Sequence, residues 1–349
     1  MPKARPKGSV GEKELLQWLR THEDAPGAEV ARARLEFQEL EGQARFLRGL
    51  LGQTRVRPRV LVTSQVSGRW STTGPNLPGR PKAIKATATK QDKDVIVPDW
   101  GWWWLRFDWV AVEGRLAATF ANERRDLGPL ERGEDIHIAT LKDMFPGEEI
   151  RNDDPRRQLA KTTRYNLQYA YDHRGILDAP DLGVFGGRAA ALEFAQRYLH
   201  SRPALQAAKA RVFAESVRTG QARSAFGRLR RLTGDEKGKA KDGWSQTIQG
   251  TVSGMMNRVL VEILGQFDEG RLVLNEHDGA TLAFPASHPI DATVAWCRPV
   301  VEKTWSLWGL PIACPADWCT IVPDAYGVHS GATQDTVGGV GEGARVVGT

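Results

Sequence analysis

The spacing of hydrophobic positions changes several times along the chain, and each change predicts a different element. From Glu12 to about Leu51 the spacing is helical. Leu15, Leu16, Trp18 and Leu19 form one apolar stripe, and Leu35, Phe37, Leu40, Ala44, Phe46, Leu47 and Leu50 form a second. Asp24-Ala25-Pro26-Gly27 between them reads as a turn. Val60-Leu61-Val62-Thr63 predicts a strand that runs on into a Pro/Gly/Asn loop. A stronger strand signal, Trp102 to Phe107, ends at Asp108. Helical texture dominates from Glu113 to about Leu232. The lysine-rich stretch from Gly234 to Gly243 reads as a charged loop before a helix from Gln249 to about Phe267. Leu272-Val273-Leu274 and Ala280 to Phe284 flank His277-Asp278 as two strands of a hairpin, and a helix is expected from near Asp291 to Leu307. A strand ending at one aspartate, a hairpin tip carrying another and a long helical insert between them describe an α+β organisation.

Composition narrows the class. With 349 residues, 41% hydrophobic and 26% charged, the chain can bury a substantial core divided among two or three modest subdomains. No run approaches the roughly 18 to 20 apolar residues of a membrane span, and no apolar signal core follows the basic N-terminus, so the expected location is the cytoplasm. The three cysteines, Cys297, Cys314 and Cys319, are too few and too odd in number for a disulfide framework, and they lack the histidine or second cysteine pair of a zinc site. A net charge of +6 suits a polyanionic partner without identifying one.

Two sets of residues carry candidate chemistry. Asp108 and Asp278 would project from one sheet edge if their strands are neighbours, and paired carboxylates can hold two magnesium ions that clamp the oxygens of a phosphoryl transfer. Alone, they also fit ordinary turn aspartates. Arg157, Lys161, Tyr165 and Tyr169 recur every fourth residue, which on a helix makes one slowly turning stripe of two cations and two rings. Cations suit a triphosphate and rings suit base stacking; a solvated basic face running into core tyrosines fits the same spacing.

Four blocks, in order, resemble the polymerase module of family A DNA polymerases. SGRWSTTGPNLP is similar to the family's GRLSS-x-x-PNLQ stretch, FDWVAVEGRL to motif A, RQLAKTTRYNLQY to motif B and NEHDGATL to motif C. EDIHIAT, FGRLRRL and IQGTVSGMM are secondary matches, and together the blocks span about residues 10 to 323. The resemblance implies a right-hand polymerase fold with an antiparallel-sheet palm, helical fingers and a reduced helical thumb. Its expected layout is a flexible arm (1–10), partial thumb (11–60), first part of the palm (61–120), fingers (121–232), second part of the palm (233–325) and a Gly-rich disordered tail (326–349).

The resemblance also implies roles. Asp108 and Asp278 would bind two Mg2+ ions, for which Mn2+ can substitute. Arg157 and Lys161 would hold the incoming triphosphate, with Lys161 able to protonate the leaving pyrophosphate. Tyr165 would stack near the incoming base and sugar, Tyr169 would lie by the template base, and Glu113 would press against the sugar 2′ position. Arg69, Asn76 and Gln249 would contact primer-template DNA, and His277 would sit by the primer end. The implied partners are primer-template DNA, dNTPs and a processivity, helicase or primase factor, with the chain itself a monomer of phage type. No D-x-E exonuclease motif precedes the module, so no proofreading is expected. The sequence departs from the family at Gly279, where motif C has glutamate, at Asn166 and Ala170 in motif B, and at Trp109 after the first aspartate. A single-subunit RNA polymerase shares the palm logic, but Glu113 and Tyr165 argue for deoxynucleotides. Tyr165 resembles phage-type enzymes that accept chain terminators. Primer extension with equal deoxy- and dideoxynucleotides is therefore expected to terminate readily, and strong rejection of the terminators would count against this role.

Overall fold

The computed structural model describes residues 15, 18, 19, 22, 25–62, 64–73, 96–154, 156–178 and 185–323. The expected N-terminal arm, Asn76 and the Gly-rich tail lie outside these residues. After a turn in which Gly27 adopts φ 102°, α1 runs over Ala28–Leu50. Its apolar stripe is not fully covered among the described residues, because Phe37 and Leu40 are exposed. Next, β1 (Arg59–Leu61) pairs with β2 (Ser71–Thr73), so part of the expected Pro/Gly/Asn loop is a strand.

The central element is β3, Trp102–Trp109, which extends one residue past Asp108. Its side chains alternate across the sheet. Trp103, Leu105, Phe107 and Trp109 are buried in the main core, while Trp102, Trp104, Arg106 and Asp108 belong to the other face. The helical insert follows: α2 (Val112–Ala121), α3 (Arg124–Glu131), α4 (Ile136–Met144), α5 (Arg157–Tyr169), α6 (Arg188–His200) and α7 (Pro203–Thr219). Local chemistry sets several boundaries. The Asp135 carboxylate caps α4 by accepting from the amides of His137 and Ile138, Pro203 opens α7, and Gly220 in the left-handed region closes it.

Three expectations need correction here. Helical texture does not persist to Leu232, because β4 (Gln221–Arg223) and β5 (Leu229–Arg231) form a hairpin. The expected charged loop at 234–243 is mostly helix. Asp235 caps α8, which runs unbroken over Glu236–Gln266, and its alanine and lysines are strong helix formers that composition alone made look like a loop. The helix expected to reach Leu307 stops early. After β6 (Arg271–Asn275) and β7 (Gly279–Pro285), α9 covers Ile290–Val301, carries Pro299 within it, and gives way to the β8 (Trp305–Leu307) and β9 (Leu310–Ile312) hairpin. The final strand is β10, Ala316–Ile321.

Four of these strands make one antiparallel sheet in the order β10-β3-β7-β6. Its covered face packs with Val112 and Leu116 of α2 and with Trp244, Ile248, Val252, Met255, Val259 and Ile263 of α8 in one core cluster. A second cluster, including Met144, Leu167, Ile176, Phe194 and Tyr198, holds the helical lobe.

That lobe also contains a buried ionic network. Asp126 of α3 accepts from Arg164 of α5 at 2.8 and 3.2 Å and from Arg202, fully buried, at 2.9 Å. Although burial works against ionisation, the two guanidiniums hold the Asp126 carboxyl below its ordinary pKa. Nearby, the buried Lys209 ammonium of α7 donates to the carbonyls of Leu167 and Ala170 at 2.9 Å each, at the C-terminal end of α5, and burial pulls its pKa down to about 8.

Removing Asp126 strands two buried guanidiniums. Asp126→Ala is expected to lower unfolding free energy by about 3–5 kcal/mol in urea denaturation, and a loss under about 1 kcal/mol would show that the network is not load-sharing.

Candidate active site

Pairing of β3 with β7 builds the site. Asp108 is in register with Gly279, and the Trp109 amide donates to the Asp278 carbonyl at 2.9 Å. The two aspartates therefore meet at one end of neighbouring strands. Asp108 is open to solvent yet surrounded by protein, the combination expected of a cleft floor. Burial, then the neighbouring Asp278, push its pKa up to about 7, and Arg106 opposes them. Asp278 is also raised, by burial and then by Glu113. Two carboxylates held together against this cost make an anionic site that Arg106 and Arg69 offset only in part.

The donor set fits magnesium. Among the described residues, no three His, Cys, Asp or Glu side chains group closely enough to hold a metal unaided. Two carboxylates leave coordination positions for water and phosphate oxygens, which is how Mg2+ is commonly bound.

The α5 stripe turns toward this floor. Tyr165 is 47% exposed, and its hydroxyl pKa is raised by burial and then by Asp278, Glu113 and Asp108, so it stands in the field of all three carboxylates. Tyr169, one turn on, donates to Glu113 Oε2 at 2.5 Å. The other Glu113 oxygen accepts from the Arg69 guanidinium. Arg69, Glu113 and Tyr169, expected at DNA, sugar and template respectively, thus form one hydrogen-bonded chain. Arg157, at the far end of the stripe, is paired with Asp135 through Nε at 2.6 Å and Nη2 at 2.5 Å.

His277 lies beside Asp278 with φ 78°, a strained backbone for a non-glycine residue. Its amide donates to Asn275 Oδ1, while its buried Nδ1 has no partner. Gln249 is on α8, where its Oε1 accepts from Ser245 at 2.8 Å. No described hydrogen bond joins it to the carboxylates.

His137 was not among the sequence candidates, although EDIHIAT contains it. Its ring centroid is 6.4 Å from that of Tyr165, and its buried Nδ1 is unpartnered. Burial, then Arg164, pull its pKa down to about 3, with Arg157 and Lys161 adding to the effect and Asp135 opposing it. A neutral imidazole therefore stands among Arg157, Lys161 and Tyr165. Arg106, also absent from the sequence candidates, pairs with Glu276 at 3.0 Å on the flank of the aspartates.

A sheet carrying two carboxylates at a strand junction, faced by a helix of cations and rings, has the architecture of a right-hand polymerase. The POL domain of Pol1 from M. smegmatis, in complex with DNA primer-template and dNTP, matches with a TM-score of 0.73 at 17% identity, over 91% of this chain and 57% of that one. The expected α+β polymerase fold is thus borne out. A profile of DNA polymerase family A matches residues 2–312, and the chain belongs to this family. Thermostable DNA polymerase I of Thermus thermophilus is 26% identical over 266 residues, 72% of this chain and 31% of that protein. DNA polymerase I of Chloroflexus aurantiacus is 25% identical over 275 residues, 75% of this chain and 28% of that protein. The chain therefore spans under a third of the length of these relatives.

Deleting the Asp108 charge is expected to stabilise the metal-free chain. Its carboxyl has an ordinary pKa of 3.8 and a value of about 7 in the fold. The cost of ionisation is therefore absent below about pH 3.8, grows as pH rises and levels off above about pH 7. Asp108→Asn should raise the melting temperature at about pH 8 and leave it nearly unchanged near pH 3.5. An effect of the same size at both values would contradict this electrostatic account.

Proposed function

We propose that this chain is a template-directed DNA polymerase, adding deoxynucleotides to a primer 3′ end and not trimming that end. The observation that carries this reading is the meeting of Asp108 and Asp278 in a cleft faced by Tyr165, with both carboxyl pKa values raised. Two Mg2+ ions, or Mn2+, held by these carboxylates would activate the attacking hydroxyl and neutralise charge on the transferred phosphoryl group.

The chain's own residues supply position. Arg157 and Lys161 would receive the triphosphate, and Lys161 would give a proton to the departing pyrophosphate. The neutral His137 imidazole can donate a hydrogen bond to the same phosphates. Glu113 is clamped by Arg69 and Tyr169, and a carboxylate fixed in this way can exclude a 2′-hydroxyl by occupying its space. Tyr165 offers an exposed ring to the incoming base and sugar, and Tyr169 borders the template base. Arg69, Gln249 and Asn76 would contact the primer-template, with His277 beside the primer end. A groove of about 780 Å³ lies on the Asp108 face of the sheet at the other end of β3, lined by Trp102, Trp104, Arg271 and Arg55, and would offer a path for the duplex upstream.

Asp108→Ala and Asp278→Ala are each expected to reduce primer extension by at least about a thousand-fold, the equivalent of roughly 4 kcal/mol of transition-state stabilisation, while duplex binding persists. Extension that survives both changes, or ribonucleotides incorporated as readily as deoxynucleotides, would overturn the assignment. Shortening of an end-labelled primer by the pure chain without nucleotides would overturn the absence of trimming.

A further inference from the structure

Three strands meet at Asp108. On one side it is in register with Gly279 of β7 and on the other with Asp317 of β10. Opposed residues of an antiparallel pair present their side chains on the same face, with Cβ atoms about 4.5–5.5 Å apart. On the β7 side there is no room for a side chain. A Cβ at Gly279 would lie 2.6 Å from the Phe107 carbonyl oxygen and 3.1 Å from Asp108 Oδ1. The side chain that flanks Asp108 directly across the sheet is therefore a second carboxylate.

Like charges directly opposed across a sheet are destabilising. Arg106 offsets this cost only in part at Asp108. Among the described residues, no hydrogen bond or ion pair engages the Asp317 carboxylate, which is half-buried. Arg106 shares its face of the sheet but is paired with Glu276 at 3.0 Å. That pairing also commits Glu276, the other carboxylate beside the aspartates.

We propose that Asp317 is a positioning residue for the metal ion at Asp108, accepting hydrogen bonds from water molecules bound to that ion. The inference rests on the reading of Asp108 and Asp278 as metal-binding carboxylates. Two features favour contact through water. Asp317 approaches Asp108 from β10, the strand on the opposite side from β7 and Asp278, and among the described residues no three acidic side chains converge closely enough for direct ligation. Magnesium retains several waters when few carboxylates bind it, and carboxylates outside the ligand shell orient what lies within it, typically changing affinity or activity 10- to 100-fold when lost.

The test uses the full chain on primer-template DNA with a dideoxy-terminated primer, so that metal binding is read without turnover. Mn2+ binding is followed by electron paramagnetic resonance, and the Mg2+ requirement for extension is measured separately on an extendable primer. Asp317→Asn should weaken Mn2+ binding by roughly 10-fold or more and raise the half-maximal Mg2+ concentration by a similar factor, with DNA affinity unchanged and no loss of melting temperature. Asp317→Glu should recover most of the loss. Asp317→Asn binding Mn2+ as tightly as the parent chain, while Asp108→Asn does not bind it, would overturn this inference alone. Mn2+ binding that survives Asp108→Asn would overturn the site reading and this inference with it.

Discussion

The hydrogen bond from the Trp109 amide to the Asp278 carbonyl, together with the β3–β7 register around it, forces two carboxylates together that would otherwise separate. Burial and the neighbouring Asp278 raise the Asp108 pKa to about 7, and burial and Glu113 raise that of Asp278, so the arrangement carries an electrostatic cost. The opposite face of the same strand meets that cost. Trp103, Leu105, Phe107 and Trp109 are all buried, and each contributes about 1.5–3 kcal/mol. The apolar side of β3 thus holds its anionic side in place. The alternation of one strand explains both why the core forms and why the site is electrostatically unsatisfied.

The cations around the cleft fall into two kinds. Arg164 and Arg202 are buried against Asp126, and their loss would leave uncompensated charge in the interior. Arg157 is 41% exposed where it meets Asp135, and exposed pairs contribute only about 0–1 kcal/mol. An incoming polyanion can therefore compete for Arg157 but not for Arg164, although both lie on α5. The buried pairs fix the shape of the helical lobe, and the exposed pair keeps a guanidinium extended at low cost. The Arg69–Glu113–Tyr169 chain is intermediate, being mostly buried with both Glu113 oxygens engaged.

Much of this was legible in sequence where the signal is local. The apolar run from Trp102 placed Asp108 at the end of a strand, and the hairpin placed Asp278 at a tip. The four-residue recurrence placed Arg157 to Tyr169 on one helix. A step of four residues overshoots a turn by about 40°, so the stripe rotates, and its ends meet Asp135 and Glu113 respectively. The missed features depend on distance or context. Nothing near residue 317 indicates that β10 lies beside β3 rather than beside the hairpin that precedes it. Lysine and glycine at 234–243 suggest a loop by composition, and the Asp235 cap and continuity with the buried residues of α8 override it. His137 lies within EDIHIAT but acquires meaning only when α4 packs on α5.

The Lys209 ammonium bonds two carbonyls at the C-terminal end of α5 and leaves the other end without an equivalent tie to α7. Its 13 residues span about 18–20 Å, and Arg164 near the middle is held to Asp126 by buried ionic bonds. The helix is thus pinned at its C-terminal end and its middle, while its first turn is tied by the half-exposed Arg157–Asp135 pair. The tyrosine end of the stripe is therefore a rigid reference surface, and the Arg157 side chain is the part that a ligand can redirect at least cost.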